Sequence, residues 1–232
     1  PVKYKYSSSS VLMVPKIMPI GFRNNCNMCY MNAVLQCFIR IQQISALYYG
    51  SEYAAQINEN NSISSHGRIS NALHDLIMSI SASINPSTSQ YHDLPKIYNP
   101  AQFRNVFVNQ YNMFGSYEQQ DAQEFLICLI DGLHEDINQA FPDDKSRRHA
   151  LETLSPNETP WTVCRKLHKS LIYDIFLGMT ETKILCSSCK STDVVQEPFV
   201  VLCLPLPSSA FIHSARLETC LKLFCQHQSN AN

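Results

Sequence analysis

An α+β architecture, with helices in front and strands behind, follows from three features of the 232-residue sequence. Apolar residues recur at helical spacing in four segments that end near Leu133. A charged stretch from Asp143 to His149 breaks that pattern and reads as a loop. Beyond it, Thr180 to Leu185 and Val194 to Leu204 are rich in β-branched and apolar residues, the composition of strands.

Residues 1–18 combine the Ser7-Ser8-Ser9-Ser10 tract with Pro15 and show no continuing period, so they read as a partly disordered leader to one domain over 19–232. Met31, Val34, Leu35, Phe38 and Ile39 mark the first helix, which begins at Cys29 or just before it. Ile69, Leu73, Leu76, Ile77 and Ile80 mark the second, stopped by Asn85-Pro86 after a polar loop from Asn58 to Ser65. A Ser-rich connection leads to Asn99-Pro100, a cap followed by proline in the first turn, with Phe103, Val106 and Phe107 on the apolar side of the third helix. Ala122, Phe125, Leu126, Leu129, Ile130 and Leu133 define the fourth, after Asp121. The two strands join around Cys186-Ser187-Ser188-Cys189. Leu217, Cys220, Leu221 and Phe224 add a short helical stripe near the end.

A hydrophobic content of 45% is globular, and a formal net charge of −1 offers no basic field for phosphate neutralisation, which argues against nucleic acid as a partner. No apolar run approaches the roughly 20 residues of a membrane helix, so no membrane association is expected. Several of the ten cysteines fall on expected core faces and one pair has metal-ligand spacing. That usage fits a reducing compartment, cytosol or nucleus, better than a disulfide framework.

The run Gly21-Phe22-Arg23-Asn24-Asn25-Cys26-Asn27-Met28-Cys29-Tyr30-Met31-Asn32 places a thiol where a polar loop enters a buried helix. The positive end of the helix dipole and the unpaired N–H groups there favour a thiolate nucleophile and could hold an oxyanion. Cysteine is also a common packing residue, and spacing alone leaves both readings open. Cys37 and Cys128, within helices, read as small packing residues. Gln119-Gln120-Asp121-Ala122-Gln123-Glu124-Phe125-Leu126 has an equally open reading, because Asp121 followed three residues later by Glu124 is also what a helix start prefers.

Both runs resemble the motifs of ubiquitin-specific proteases. The first is similar to the cysteine box Gly-Leu-x-Asn-x-Gly-Asn-Thr-Cys-Tyr-Met-Asn, which continues into a helix with Leu-Gln, here Leu35-Gln36. The second is similar to Gln-Gln-Asp-Ala-x-Glu-Phe. The resemblance implies Cys29 as nucleophile and Asn24 as the oxyanion-stabilising amide. It also implies that Gln120, Asp121 and Glu124 border the channel for the arginine-bearing C-terminus of ubiquitin, where carboxylates would meet guanidinium groups. Cys26 stands where the family has Gly and Met28 where it has Thr. A positive φ at position 26 would make that cysteine costly. None of the eight histidines sits in the Gly-His-Tyr setting of the family's base, and His134 reads as structural or exposed.

Phe176-Leu177-Gly178, Cys186-x-x-Cys189 and the strand ending at Pro207 resemble the family segment in which Cys-x-x-Cys is half of a zinc knuckle. Cys186 and Cys189 would supply two of four ligands, and Cys220 and Cys225 have the wrong spacing to complete them. The resemblance therefore implies a papain-like cysteine peptidase fold, with a helical thumb followed by a β-rich palm and fingers, incomplete at its C-terminal side because the histidine box is absent. It implies hydrolysis of isopeptide or peptide bonds after the C-terminal glycine of ubiquitin, with ubiquitin and ubiquitinated proteins as partners. No cofactor is expected for catalysis, and structural zinc belongs to the complete domain. The alternative is an inactive ubiquitin-binding scaffold that lacks its base, and these residues alone are expected to be inactive.

Overall fold

The computed structural model describes residues 20–25, 27–82, 97–207 and 214–226. The expected leader, Cys26, the Asn85-Pro86 stop and the Ser-rich connection lie outside the described residues. The chain divides after Pro198 into two compact units.

In the first unit, a short parallel pair joins β1 (Gly21–Phe22) to β2 (Ile97–Tyr98), with Gly21 opposite Ile97. α1 (Cys29–Phe38) starts at the cysteine, as its apolar spacing predicts, and buries Tyr30, Met31, Leu35 and Phe38. α2 (Gln42–Tyr49) follows, a helix not foreseen because its buried face is nearly continuous from Ile44 to Tyr48 and shows no period. α3 (Arg68–Ala82) and α4 (Ala101–Gln110) carry the expected stripes, and the Asn99 side chain accepts a bond from the Ala101 N–H at the start of α4. α5 (Ala122–Asp136) is capped by Asp121.

These helices close on one core. Phe125 meets the rings of Phe107, Tyr30 and Phe114 at centroid distances of 4.6, 5.6 and 5.7 Å. Removing such a ring costs about 3–5 kcal/mol in a packed interior. Gly132 permits the close crossing of α5 over α3, since a Cβ there would come within 2.8 Å of the Ile69 methyl group.

Residues 143–149 correct the sequence reading: they are not a loop but most of α6 (Asp144–Glu152). Asp143 caps it by accepting the Ser146 N–H at 2.7 Å, and Asp144 accepts the Ser62 N–H at 3.3 Å. No residue of α6 is buried, so there was no apolar stripe to detect. α7 (Pro160–Leu167) and α8 (Leu171–Phe176) extend the helical part further than expected, with Thr159 and Ser170 as caps. Phe176 stacks on Phe38 at 5.6 Å and ties α8 to α1.

β3 (Gly178–Leu185) and β4 (Thr192–Phe199) then form the expected hairpin. The Thr180 hydroxyl donates to the Glu197 carbonyl, and the Cys186 N–H donates to the Ser191 carbonyl. β4 ends at Phe199 rather than at Leu204, because β3 begins at Gly178 and offers no ladder partner beyond it. In the second unit, α9 (Leu217–Phe224) buries Cys220. Among the described residues, no helix is long and apolar enough to cross a membrane.

Candidate functional site

Cys29 is the first residue of α1, and its side chain is exposed although Met28 and Tyr30 on either side are buried. Packing thus fixes the backbone around the thiol and leaves the sulfur accessible. Met28 has no capping side chain of its own; its N–H donates instead to the Asn24 amide oxygen at 2.8 Å. That bond fixes which end of the Asn24 amide faces the helix. Its NH2 group has no acceptor among the described residues, so a donor remains beside the start of α1.

Asn27, two residues before the thiol, has φ 58°, a left-handed conformation that asparagine tolerates. Position 26, where a positive φ was anticipated as a cost, lies outside the described residues. The Asn27 amide donates to the Tyr117 carbonyl at 3.1 Å. The Arg23 N–H donates to the Tyr98 carbonyl at 2.7 Å, and the Asn32 amide donates to the Arg23 carbonyl at 3.2 Å. The loop before Cys29 is therefore held from three sides.

Gln120, Asp121 and Glu124 lie at the entry to α5, close to this loop through packing. Tyr30, which follows the cysteine, packs edge-on against Phe125, which follows Glu124. Asp121 does cap its helix, accepting from Gln123 N–H at 2.6 Å and Glu124 N–H at 3.4 Å. Gln120 donates to the Ser116 hydroxyl at 3.0 Å. Glu124 is exposed, and its carboxylate has no hydrogen bond among the described residues.

Sequence reasoning missed Arg104, which is buried yet reaches the loop ahead of α5. Its guanidinium donates to the carbonyls of Phe114, Gly115 and Ser116 at 3.1, 3.3 and 3.1 Å and lies 4.9 Å from the Tyr117 ring. Its signal was available: a charged residue beside Phe103 and one turn from Phe107, on a core-facing side.

Among the described histidines, none shares a hydrogen bond with Cys29. His66 faces the Glu59 carbonyl, His74 the Tyr48 carbonyl, and His134 is fully buried between Ser170 and His168. Of the two readings offered for His134, structural or exposed, the structure bears out the first. His92, His213 and His227 lie outside the described residues.

Cys186 and Cys189 bracket the hairpin turn, where Lys190 takes φ 59°. The Ser191 hydroxyl and N–H, with the Cys186 thiol, lower the Cys189 thiol to about 7. The pair supplies two thiols, and no further metal-binding side chain joins them among the described residues. They do not by themselves fit a closed four-ligand zinc site. Of the cysteines expected to pack, Cys37 is exposed and Cys128 half-buried, while Cys220 is the buried one among the nine described thiols. Cys37 faces away from the core because it shares one side of the helix with the exposed Ala33 and Arg40; its burial expectation is corrected.

The profile of the family described as "Ubiquitin carboxyl-terminal hydrolase" matches residues 20–230. Ubiquitin carboxyl-terminal hydrolase 12 of Saccharomyces cerevisiae is 31% identical over 200 residues, covering 81% of this chain and 15% of that protein. Ubiquitin carboxyl-terminal hydrolase 4 of Mus musculus is 32% identical over 203 residues, covering 83% of this chain and 20% of that protein. This chain thus spans a fifth or less of those two relatives. Among solved structures, the SAGA Ubp8/Sgf11/Sus1/Sgf73 module bound to monoubiquitin superposes with a TM-score of 0.60 at 17% identity, over 94% of this chain and 41% of that one. The same module bound to ubiquitin aldehyde gives a TM-score of 0.58 at 18% identity, over 95% and 42%.

Proposed function

The chain belongs to the ubiquitin carboxyl-terminal hydrolase family and has its α+β papain-like fold, and from that premise we propose that it is the thiol-bearing part of a deubiquitinase. The single observation that carries the reading is the start of α1. An exposed Cys29 is held between buried neighbours, with the Asn24 amide turned so that its donor end is available.

In this reading the Cys29 thiolate attacks the carbonyl carbon of the last glycine of ubiquitin. The C–S bond forms as the carbonyl oxygen becomes an oxyanion, and the Asn24 NH2 with backbone N–H groups at the helix start donates to it. The C–N bond then breaks, and the amine leaves with the proton that the thiol gave up on becoming a thiolate. Water cleaves the thioester and restores the thiol. Gln120 and Glu124 border the approach of the ubiquitin tail. The chemistry uses no cofactor. Cys186 and Cys189 would give two of the four ligands of a structural zinc, the others coming from outside the described residues. Nine described thiols without a disulfide support a cytosolic or nuclear setting.

The test is reaction with ubiquitin whose C-terminus carries an electrophile. One ubiquitin adduct is expected, mapping to Cys29 and absent from Cys29→Ala; an adduct on another cysteine would overturn the assignment. A second reading is favoured by one observation: no described histidine bonds to Cys29. Residues 1–232 alone would then bind ubiquitin and react once with the electrophile, yet fail to turn over, since helix-start activation does not protonate the leaving amine. Cleavage of di-ubiquitin by this chain, lost in Cys29→Ala, would refute that second reading.

A further inference from the structure

We infer that His134, Glu135 and His168 form a binding site for a divalent transition metal of the zinc class, separate from the Cys186/Cys189 turn. This goes beyond the proposed thiol chemistry and does not depend on it. The three side chains are the one group of at least three metal-ligand types that converge among the described residues. One ligand atom from each lies within 4.8 Å of the others.

Two helix ends deliver them. His134 and Glu135 occupy the last turn of α5, and His168 is the residue that ends α7. Helix C-termini concentrate partial negative charge from free carbonyls, so both ends favour a cation placed between them. His134 Nε2 lies 2.9 Å from His168 Nδ1 and 3.9 Å from Glu135 Oε1. Zinc–nitrogen bonds of about 2.0–2.1 Å in a tetrahedral site separate ligand atoms by about 3.3 Å. The two nitrogens need to part by a few tenths of an ångström, and the carboxylate oxygen, which lies within 4.8 Å of His168, needs a larger shift toward both imidazoles, within reach of a half-buried glutamate side chain.

What makes the cluster more than a chance gathering is that the second atom of two of its ligands is already held. His134 Nδ1 faces the Ser170 hydroxyl at 2.6 Å, and that hydroxyl also accepts the Tyr173 N–H at 3.2 Å. With Nδ1 donating to Ser170, the Nε2 lone pair points into the cluster. The ring plane is fixed by Tyr173, stacked on it at 3.5 Å. Glu135 Oε2 accepts from the Asn61 amide at 2.7 Å and faces Arg147 at 3.4 Å, which leaves Oε1 toward the imidazoles. Outer contacts of this kind set the tautomer and aim of metal ligands. Burial keeps both imidazoles neutral, the form that ligates. Glu135 and His168 are half-buried, so a fourth position is open to water.

The competing arrangement is two neutral imidazoles sharing one proton across 2.9 Å, with no metal. Calorimetric titration of Zn²⁺ into the Cys186→Ser/Cys189→Ser protein, which lacks the thiol pair, separates the two. One equivalent of zinc is expected to bind and raise the unfolding temperature. His168→Ala should weaken binding about tenfold or more. Glu135→Gln, which keeps the bond to Asn61, guards against a folding defect in the first variant and should weaken binding as well. Cobalt in place of zinc should give a spectrum without thiolate charge-transfer bands. No binding by the double-serine protein, binding unchanged in both His168→Ala and Glu135→Gln, or a thiolate cobalt spectrum would overturn the site.

Discussion

The side-chain amide of Asn27 donates to the main-chain carbonyl of Tyr117 at 3.1 Å, across 90 residues of sequence, and so ties the loop that delivers Cys29 to the loop that enters α5. The tie is only as firm as the loop that carries Tyr117. That loop is held by Arg104, whose guanidinium fills three carbonyl positions from Phe114 to Ser116.

Arg104→Met keeps the apolar stem and removes the donors, leaving carbonyls in a part-buried place without partners. A loss of about 2–3 kcal/mol is expected, read as a shift of the urea midpoint. Adduct formation between Cys29 and an electrophilic ubiquitin should also slow, because Asn27 loses its fixed acceptor. Unchanged stability together with an unchanged adduct rate would show that the loop does not depend on the guanidinium.

A second anchor lies at the far end of α5. Asp136 is fully buried and accepts from Ser65 N–H at 2.9 Å, the Ser65 hydroxyl at 2.7 Å, Gly67 N–H at 3.1 Å and Ser70 N–H at 3.0 Å. It organises the turn that starts α3, where His66 and Gly67 both take positive φ. Asp136→Asn would set an NH2 group against one of these donors and is expected to cost about 2–3 kcal/mol. Amide exchange at Ser65, Gly67 and Ser70 should speed up more than exchange in α4. A loss below about 1 kcal/mol would mean that the turn holds without the carboxylate.

These contacts mark the limit of what the sequence discloses. α1 was legible because its apolar stripe follows a polar loop, and α5 because its stripe follows the capping Asp121 within one stretch of chain. α6 was not, since it buries no residue, carries no apolar stripe and is held by an Asp144 contact that reaches back to Ser62. The Thr159-Pro160 pair that opens α7, a cap followed by proline in the first turn, is a helix start that the reading of the sequence passed over. At the site, Cys29 and Asn24 share one twelve-residue run, Gly21 to Asn32, and could be found together. Arg104 and the His134–His168 pair act through contacts between distant segments, which one-dimensional spacing does not encode.

Stability should fall on mild acidification. Burial, then His168 and Arg147, lowers His134 to about 2, and burial lowers His168 as well. In the unfolded chain both imidazoles take up protons below about pH 6.5, while the folded rings take them up only at lower pH. The contribution of the neutral pair is therefore complete above that pH and is lost as pH falls below it. For His134 the slope is about 1.4 kcal/mol per pH unit. Urea unfolding from pH 7.5 to 5, with chelator present, should show this slope, and His134→Gln should be less stable at pH 7.5 but flatter with pH. Parallel profiles for the two proteins would contradict a neutral buried His134.

Asp121 and Glu124 can be told apart by substitutions that separate charge from capping. The Asp121 carboxylate is engaged with two N–H groups of its own helix, so its replacement should be felt first in folding. Asp121→Ala is expected to lose about 1 kcal/mol, whereas Asp121→Ser, which keeps a capping oxygen without the charge, should stay within about 0.5 kcal/mol of the parent. Glu124 points its carboxylate at solvent beside the thiol-bearing helix, with no described hydrogen bond to spend it on. Glu124→Gln should leave stability unchanged and weaken ubiquitin binding about tenfold through the lost pairing with a guanidinium of the tail. Binding is best measured on a Cys29→Ala background, with ubiquitin lacking its last residues as the control that should be blind to the change. If Asp121→Ser weakens binding while Glu124→Gln does not, the capping carboxylate is the one that meets substrate, and the division of roles between the two is reversed.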